Sequence, residues 1–205
     1  MITAVCEGGF FSFFIAIGII KGKLSFTFSE VCTGSVAALF GEEGSSSMKI
    51  WSLHPLRVRY QETDRMGVVY HANYLTWFEI GRTEWVRRAG ISYLEMEKKG
   101  LLLPVTDVEA SFGKPAGYDD WVTVCTRVAE LSAVRVRFES RIVGGDLTEA
   151  ANGFTYEGDE PPGAALVRGG TRHVWVKSDS WRPIRLDREA PDWYAALKDL
   201  AHTGD

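Results

Sequence analysis

The chain lacks the marks of several function classes. Only three of its 205 residues are cysteine (Cys6, Cys32 and Cys125), and no CxxC or His/Cys cluster is present. That excludes a disulfide-stapled scaffold and any zinc site of ordinary spacing, so no metal is expected. A sparse, odd count suits the reducing cytoplasm. Basic residues are not in excess, with 23 Lys+Arg against 27 Asp+Glu and a net charge of −4. A broad nucleic-acid surface is therefore not expected. A membrane-spanning helix needs roughly 20 apolar residues, whereas the uncharged run Gly9 to Ile20 (GFFSFFIAIGII) has 12. A signal peptide carries positive charge before its core; here Glu7 precedes the run and Lys21 and Lys23 follow it. Stable membrane insertion is not expected.

The first 47 residues lack Arg, His, Asp, Trp, Tyr and Pro, while all seven Trp and all seven Tyr follow Met48. This shift divides the chain into an atypical extension (1–47), a main domain (48–187) and a C-terminal helix or tail (188–205). Glu42-Glu43-Gly44 can be encoded by a purine run resembling a bacterial ribosome-binding site, with three serine codons before Met48. Two readings of the extension stay open: a translated upstream region with Met48 as the native start, or a weak signal-like segment.

The densest stretch of chemistry is Tyr60 to Tyr74, YQETDRMGVVYHANY. It joins an expected strand, Leu56 to Tyr60, to a helix expected over Tyr74 to Ala89 with Asn73 or His71 as cap. In that helix Tyr74, Trp77, Phe78, Gly81 and Trp85 recur at helical spacing, so it is largely buried. Gly81 in mid-helix implies close packing on a sheet, and Gly90 ends the helix. Ser92 and Glu95 form a capping box for a short second helix.

Period-two patterning then predicts strands over Pro104–Phe112, Trp121–Leu131, Val134–Val143 and Ala165–Ser178, the last bulged at Gly169-Gly170. In the third of these, Val134, Val136, Phe138 and Ile142 face inward and Arg135, Arg137, Glu139 and Arg141 face solvent. Residues 144–163 read as a flexible loop, and Trp193–Ala201 as a terminal helix. One long apolar helix with five antiparallel strands is an α+β plan, the sheet wrapping the helix.

A carboxylate beside a helix N-terminus, whose free N–H groups polarise an electrophile, is suited to acyl transfer. Asp64 is the candidate acid. Its competing assignment is an Asx-type turn residue. His71 offers a side chain or only a backbone N–H, Tyr60 orients Asp64 or packs, and Glu62 is a salt-bridged strand-end residue. His54, His173 and His202 have no convergent partners in sequence and read as structural or surface groups.

These residues carry a resemblance. RVRYQETDRMGVVYHANYLTWFEIGRTEW (Arg57–Trp85), with KPAGYDDWVTV (Lys114–Val124), RVRFESRIV and TRHVWV…RPIRL, resembles the acyl-CoA thioesterases of the 4-hydroxybenzoyl-CoA thioesterase type, including the tol-pal-associated branch. The likeness spans roughly residues 54 to 187. It implies a hotdog fold, a five-stranded antiparallel sheet around a long central helix. It also implies hydrolysis of short-chain or aryl acyl-CoA to acid and CoA, without cofactor. Asp64 falls on the family's catalytic acid, acting as nucleophile or as general base. Glu62 replaces the first Asp of the family motif.

With it come Tyr60 and His71 as catalytic candidates, and the backbone of Tyr70 and His71 as carbonyl-polarising groups. Gly67, Val68, Asn73, Trp77 and Lys114 are substrate-binding candidates. Arg87, Arg88, Arg135, Arg137 and Arg141 are further candidates for the CoA phosphates. The resemblance also implies a homodimer or homotetramer with active sites between subunits. An alternative is a module that binds acyl-CoA without cleaving it.

Overall fold

A computed structural model describes residues 15–20, 23–28, 50–149, 151 and 153–202, the first two segments as backbone only. Cys6, Cys32, Met48 and the start of the Gly9 run lie outside these residues. The described end of that run, Ile15–Ile20, is strand β1, paired with β2 (Lys23–Phe28).

Helix α1 (His71–Arg88) is the longest in the described chain. Its buried residues are Tyr74, Trp77, Phe78, Gly81, Trp85 and Val86, the expected stripe. Around it run β3 (Ile50–Arg57), β5 (Val105–Phe112), β6 (Trp121–Leu131), β7 (Arg135–Gly144) and β9 (Ala165–Val174). The sheet order is β1-β2-β5-β9-β7-β6-β3-β8, antiparallel throughout, with β8 (Thr155–Glu157) at the far edge. This is the α+β hotdog arrangement, with additional edge strands. A short helix α2 (Tyr93–Lys98) follows α1, capped by Ser92 and Glu95 as expected. Strand β4 (Leu101–Leu102) pairs with β10 (Val176–Lys177) in a separate two-stranded sheet. Helices α3 (Leu186–Glu189) and α4 (Pro191–His202) close the chain. Leu186, Leu197 and Ala201 are buried in the same core as Trp85 and Phe138.

Gly81 is where α1 meets the sheet. A Cβ there would overlap Thr126 and Val124 of β6, so a side chain would force helix and sheet apart. Gly169 and Gly170 have a similar cause, not the expected bulge. A Cβ on Gly169 would strike the Glu109 carbonyl and the Phe78 ring, and one on Gly170 the Phe138 carbonyl. The register shifts in the pairs of β9 fall instead between Val105 and Asp107 and between Ile142 and Val143.

Other expectations need correction. The first strand of the domain ends at Arg57 rather than Tyr60 and begins at Ile50. Pro55 hid it, since proline has no N–H for a ladder. Here Pro55 pairs with Thr123 on one side, while β8 covers only Ile50–Ser52 on the other, so a missing donor is tolerated. Residues 144–163 are more than a loop. They carry β8, and Leu147, Ala151 and Tyr156 pack on Trp51, Leu53, Cys125 and Val143. This layer covers Arg141, expected in solvent but only 9% exposed. Its guanidinium pairs with Glu139 and Glu160 and lies 5.6 Å from the Trp51 ring centre. Two carboxylates make burial of that charge tolerable.

His173 is buried between β5 and β7. Its Nδ1 lies 3.2 Å from the Leu103 carbonyl, which can only accept, so Nδ1 carries the proton. Nε2, 2.8 Å from Thr171 Oγ1, then accepts. Burial, reinforced by the Arg82 charge, pushes the imidazole down from 6.5 to about 4. The folded pKa lies below the unfolded one, so as pH falls the unfolded chain takes up the proton first. Stability from this group is complete above about pH 6.5 and is lost towards about pH 4, by up to about 3 kcal/mol. Denaturant unfolding between about pH 7.5 and about pH 4.5 should therefore show a smaller pH dependence for His173→Gln than for the parent. Identical pH dependences would contradict this assignment.

Candidate active site

The chain from β3 to α1 is shaped by a turn, a hairpin and a helix start. Residues Tyr60–Glu62 form one 3-10 turn. Thr63 and Val69 then bridge, closing a small hairpin in which the Asp64 N–H donates to the Val68 carbonyl and the Gly67 N–H to the Asp64 carbonyl. Gly67 has φ of +76°, which favours glycine at the tip. The hairpin is moored to the loop after β5: Val68 bridges Gly117, and the Val69 N–H donates to the Ala116 carbonyl at 2.9 Å. Tyr74, buried on α1, completes the mooring by accepting the Ala116 N–H on its hydroxyl at 3.2 Å.

Glu62 is the most connected residue of the stretch. Only 4% exposed, it accepts from the Arg59 N–H at 2.7 Å, the Arg59 guanidinium at 2.8 Å and the Trp77 indole at 3.0 Å. Burial alone would raise its pKa. The bonds from Arg59 and Trp77 outweigh that and hold the carboxyl below the usual range. Its carbonyl accepts the Tyr70 N–H at 2.9 Å and the Asn73 side-chain amide at 2.7 Å.

This network revises several assignments. The N-cap of α1 is Tyr70, in extended conformation and without a side-chain cap. Asn73 lies inside the first turn and ties the helix to Glu62 rather than capping it. Trp77 is fully buried, with its N–H on Glu62, and it lines the second cavity described below rather than the cleft at the helix start. The Tyr70 N–H is already bonded. Among the described residues no backbone acceptor meets the N–H of His71 or Ala72, which leaves those two as the open donors. Tyr60, 77% exposed, turns its ring towards Tyr118 at 5.6 Å, and no hydrogen bond joins it to Asp64 among the described residues.

A cleft of about 150 Å³ opens at this helix start. Val69, His71, Tyr74, Phe112, Gly113, Lys114, Pro115 and Val167 line it. The His71 ring lies 4.3 Å from that of Tyr70 and 6.4 Å from that of Phe112. Of the basic candidates, Lys114 alone lines the cleft among the described residues. Arg137 and Arg141 are ion-paired, Arg87 pairs with Glu84, and Arg88 clamps α1 to the Leu53 and Phe154 carbonyls. Asp64 is half-buried in the hairpin and does not line the cleft. One of its oxygens accepts the Met66 N–H at 2.8 Å, an Asx turn. A second cavity of about 270 Å³ is lined by His54, Leu56, Arg57, Arg59, Glu62, Trp77 and Ile80. Among the described residues no group of three or more His, Cys, Asp or Glu could hold a metal ion, and no helix is long and apolar enough to cross a membrane.

Sequence reasoning missed Ala72, while Phe112, which it left between the core and an aryl pocket, lines the cleft. Ala72 carries no side-chain signal, since a backbone donor is visible only once the helix start is placed.

A long helix wrapped by an antiparallel sheet, with open N–H groups at its start beside an aromatic-walled cleft, is the hotdog arrangement. The thioesterase-like superfamily matches residues 58–196. The chain is 35% identical over 143 residues to a Bacillus subtilis protein named putative acyl-CoA thioesterase YneP, covering 70% of this chain and 92% of that one. A DHNA-CoA thioesterase from Staphylococcus aureus superposes with a TM-score of 0.62 at 36% identity, over 73% of this chain and 90% of that one. A hypothetical protein from Thermus thermophilus gives 0.59 at 34% identity, over 73% and 98%. The chain belongs to the thioesterase-like superfamily, which bears out the resemblance read from Arg57–Trp85.

The open donors generate a test. Proline is well tolerated at the first helical position, and Tyr70 already has the extended backbone that a following proline requires (φ −62°, ψ 131°). His71→Pro should therefore fold and lose only the N–H and the ring, whereas His71→Ala loses only the ring. If the N–H polarises a carbonyl, His71→Pro should lower kcat by about 10²–10³-fold relative to His71→Ala. Equal rates for the two variants would remove the N–H from the chemistry.

Proposed function

We propose that this chain hydrolyses acyl-CoA thioesters to free acid and CoA. The observation that carries the reading is the pair of open N–H groups, His71 and Ala72, at the start of an 18-residue helix beside the cleft. The thioester carbonyl oxygen rests on these donors, where the helix dipole favours developing negative charge. Water, or first the Asp64 carboxylate, adds to the carbonyl carbon. The C–S bond then breaks and the sulfur leaves as thiolate. Free thiols ionise near pKa 8.5, so the leaving group needs no strong acid. On the direct route water hydrolyses the acyl-Asp64 anhydride; on the general-base route Asp64 takes a proton from the attacking water. The small aromatic cleft supports a short or aryl acyl group over a long chain.

The reading includes a second copy of the chain. A homodimer or homotetramer whose second copy packs over the open side of the cleft completes the site, with Asp64 and the helix start supplied by the same protomer. The exposed rings of Tyr60, Tyr70, Phe112, Tyr118 and Trp121 border this region and supply apolar area for such a contact. Buried, unpaired Cys125, with its thiol pushed up to about 12, fits work in the cytoplasm.

One observation favours a second reading, an acyl-CoA-binding module without hydrolysis: the Asx turn engages one oxygen of Asp64. Free-thiol release from a panel of short-chain, long-chain and aryl acyl-CoAs separates the two. The parent should cleave some of the panel, and Asp64→Asn should lose at least about a hundredfold, roughly 2.7 kcal/mol of barrier. Binding without cleavage by either protein would favour the module.

A further inference from the structure

We infer that Glu62 is a positioning residue that sets the open donors of α1 against the hairpin carrying Asp64. The inference rests on the thioesterase reading and deepens it.

Both ends of Glu62 bind parts of the site that must stay in register. Its carboxylate holds the Arg59 backbone and guanidinium on the entering side and the Trp77 indole on the second turn of α1. Its carbonyl holds the Tyr70 N–H and the Asn73 amide at the helix start. Asp64 follows two residues later, and His71 comes directly after Tyr70. The distance between acid and donors is therefore spanned by one buried residue, which accepts five bonds of 2.7–3.0 Å.

Bonding to the Tyr70 N–H has a second consequence. Of the first three N–H groups around the helix start, one is engaged by Glu62 and the next two are left open. Without the Glu62 carbonyl the Tyr70 N–H also lacks an acceptor, and nothing fixes which donors face the cleft. Charge matters as well as shape. Three N–H groups converge on the two carboxylate oxygens, and an acceptor-only carboxylate serves all of them. A glutamine presents an NH2 to at least one of these donors and so loosens the clamp at nearly constant volume.

The position differs from that of a general structural contact in one respect that can be measured. A residue that acts through Asp64 and the helix donors loses its effect on rate once Asp64 is gone, because residues acting as a unit are not additive. A residue that merely stabilises the fold does not.

The experiment is a double-mutant cycle on the full chain with an acyl-CoA that the parent cleaves. Glu62→Gln should lower kcat about tenfold or more, change KM by less than about threefold, and in the Asp64→Asn background cost less than about threefold further. The conservative Glu62→Asp should recover part of the rate. Equal losses in both backgrounds, or a rate per folded molecule unaffected by Glu62→Gln, would overturn the assignment. Amide hydrogen exchange gives a readout independent of turnover. The Tyr70 N–H should exchange at least about tenfold faster in Glu62→Gln while Val124 in β6 is unchanged. If the parent cleaves no thioester, the thioesterase reading fails, and the exchange at Tyr70 alone decides the clamp: faster exchange upholds it and unchanged exchange refutes it.

Discussion

The start of α1 carries an electrostatic constraint on which the rest of the structure depends. A helix N-terminus can polarise a ligand only while its N–H groups stay unpaired, yet unpaired donors in a fold are costly unless water or a ligand reaches them. Here the constraint is met by geometry. The Glu62 carbonyl takes the Tyr70 N–H, Tyr70 leads into the helix in extended conformation, and exposed His71, which lines the cleft, and Ala72 keep their N–H groups open. The helix can be held there because its opposite face is packed without clearance, Gly81 lying against Thr126 and Val124.

That packing explains the division of labour along the chain. The sheet grips α1 through Trp77, Phe78 and Trp85, all buried, so the helix axis is fixed. Position along the axis is set by Trp77 on Glu62 and Asn73 on the Glu62 carbonyl. The loop after β5 is locked to the same helix through Tyr74 and Ala116, and it carries Lys114 and Pro115 to the mouth of the cleft. Three segments distant in sequence thus meet through a few polar bonds laid over an apolar core. The outer face of the sheet has a different arrangement, where β8 and its flanking residues shield Trp51 and the paired Arg141.

Much of this was legible from residue patterning. The apolar stripe of α1, the Ser92–Glu95 capping box and the Trp121–Leu131 strand each rest on side chains whose spacing states their role, while the family was read from the resemblance over Arg57–Trp85. What was illegible has physical reasons. Asn73 has the chemistry of a cap, but its amide was claimed by a carbonyl eleven residues earlier, which no local pattern reveals. Trp77 read as a possible ligand contact because burial depends on which strand covers it. Arg141 alternated outward correctly, yet a segment rich in Gly, Asp and Pro returned to cover it. Tyr70 and His71 looked equivalent as donors, and only the placement of Glu62 separates them, moving the open pair to His71 and Ala72.

The account stands or falls on whether the start of α1 polarises a bound thioester carbonyl. Infrared difference spectroscopy with a carbonyl-¹³C acyl-CoA bound to the Asp64→Asn protein reads this bond directly. The account predicts a carbonyl stretch at lower wavenumber than in solution, returning towards the solution value when His71→Pro is added. A bound carbonyl with the solution frequency, or one unmoved by His71→Pro, would contradict it.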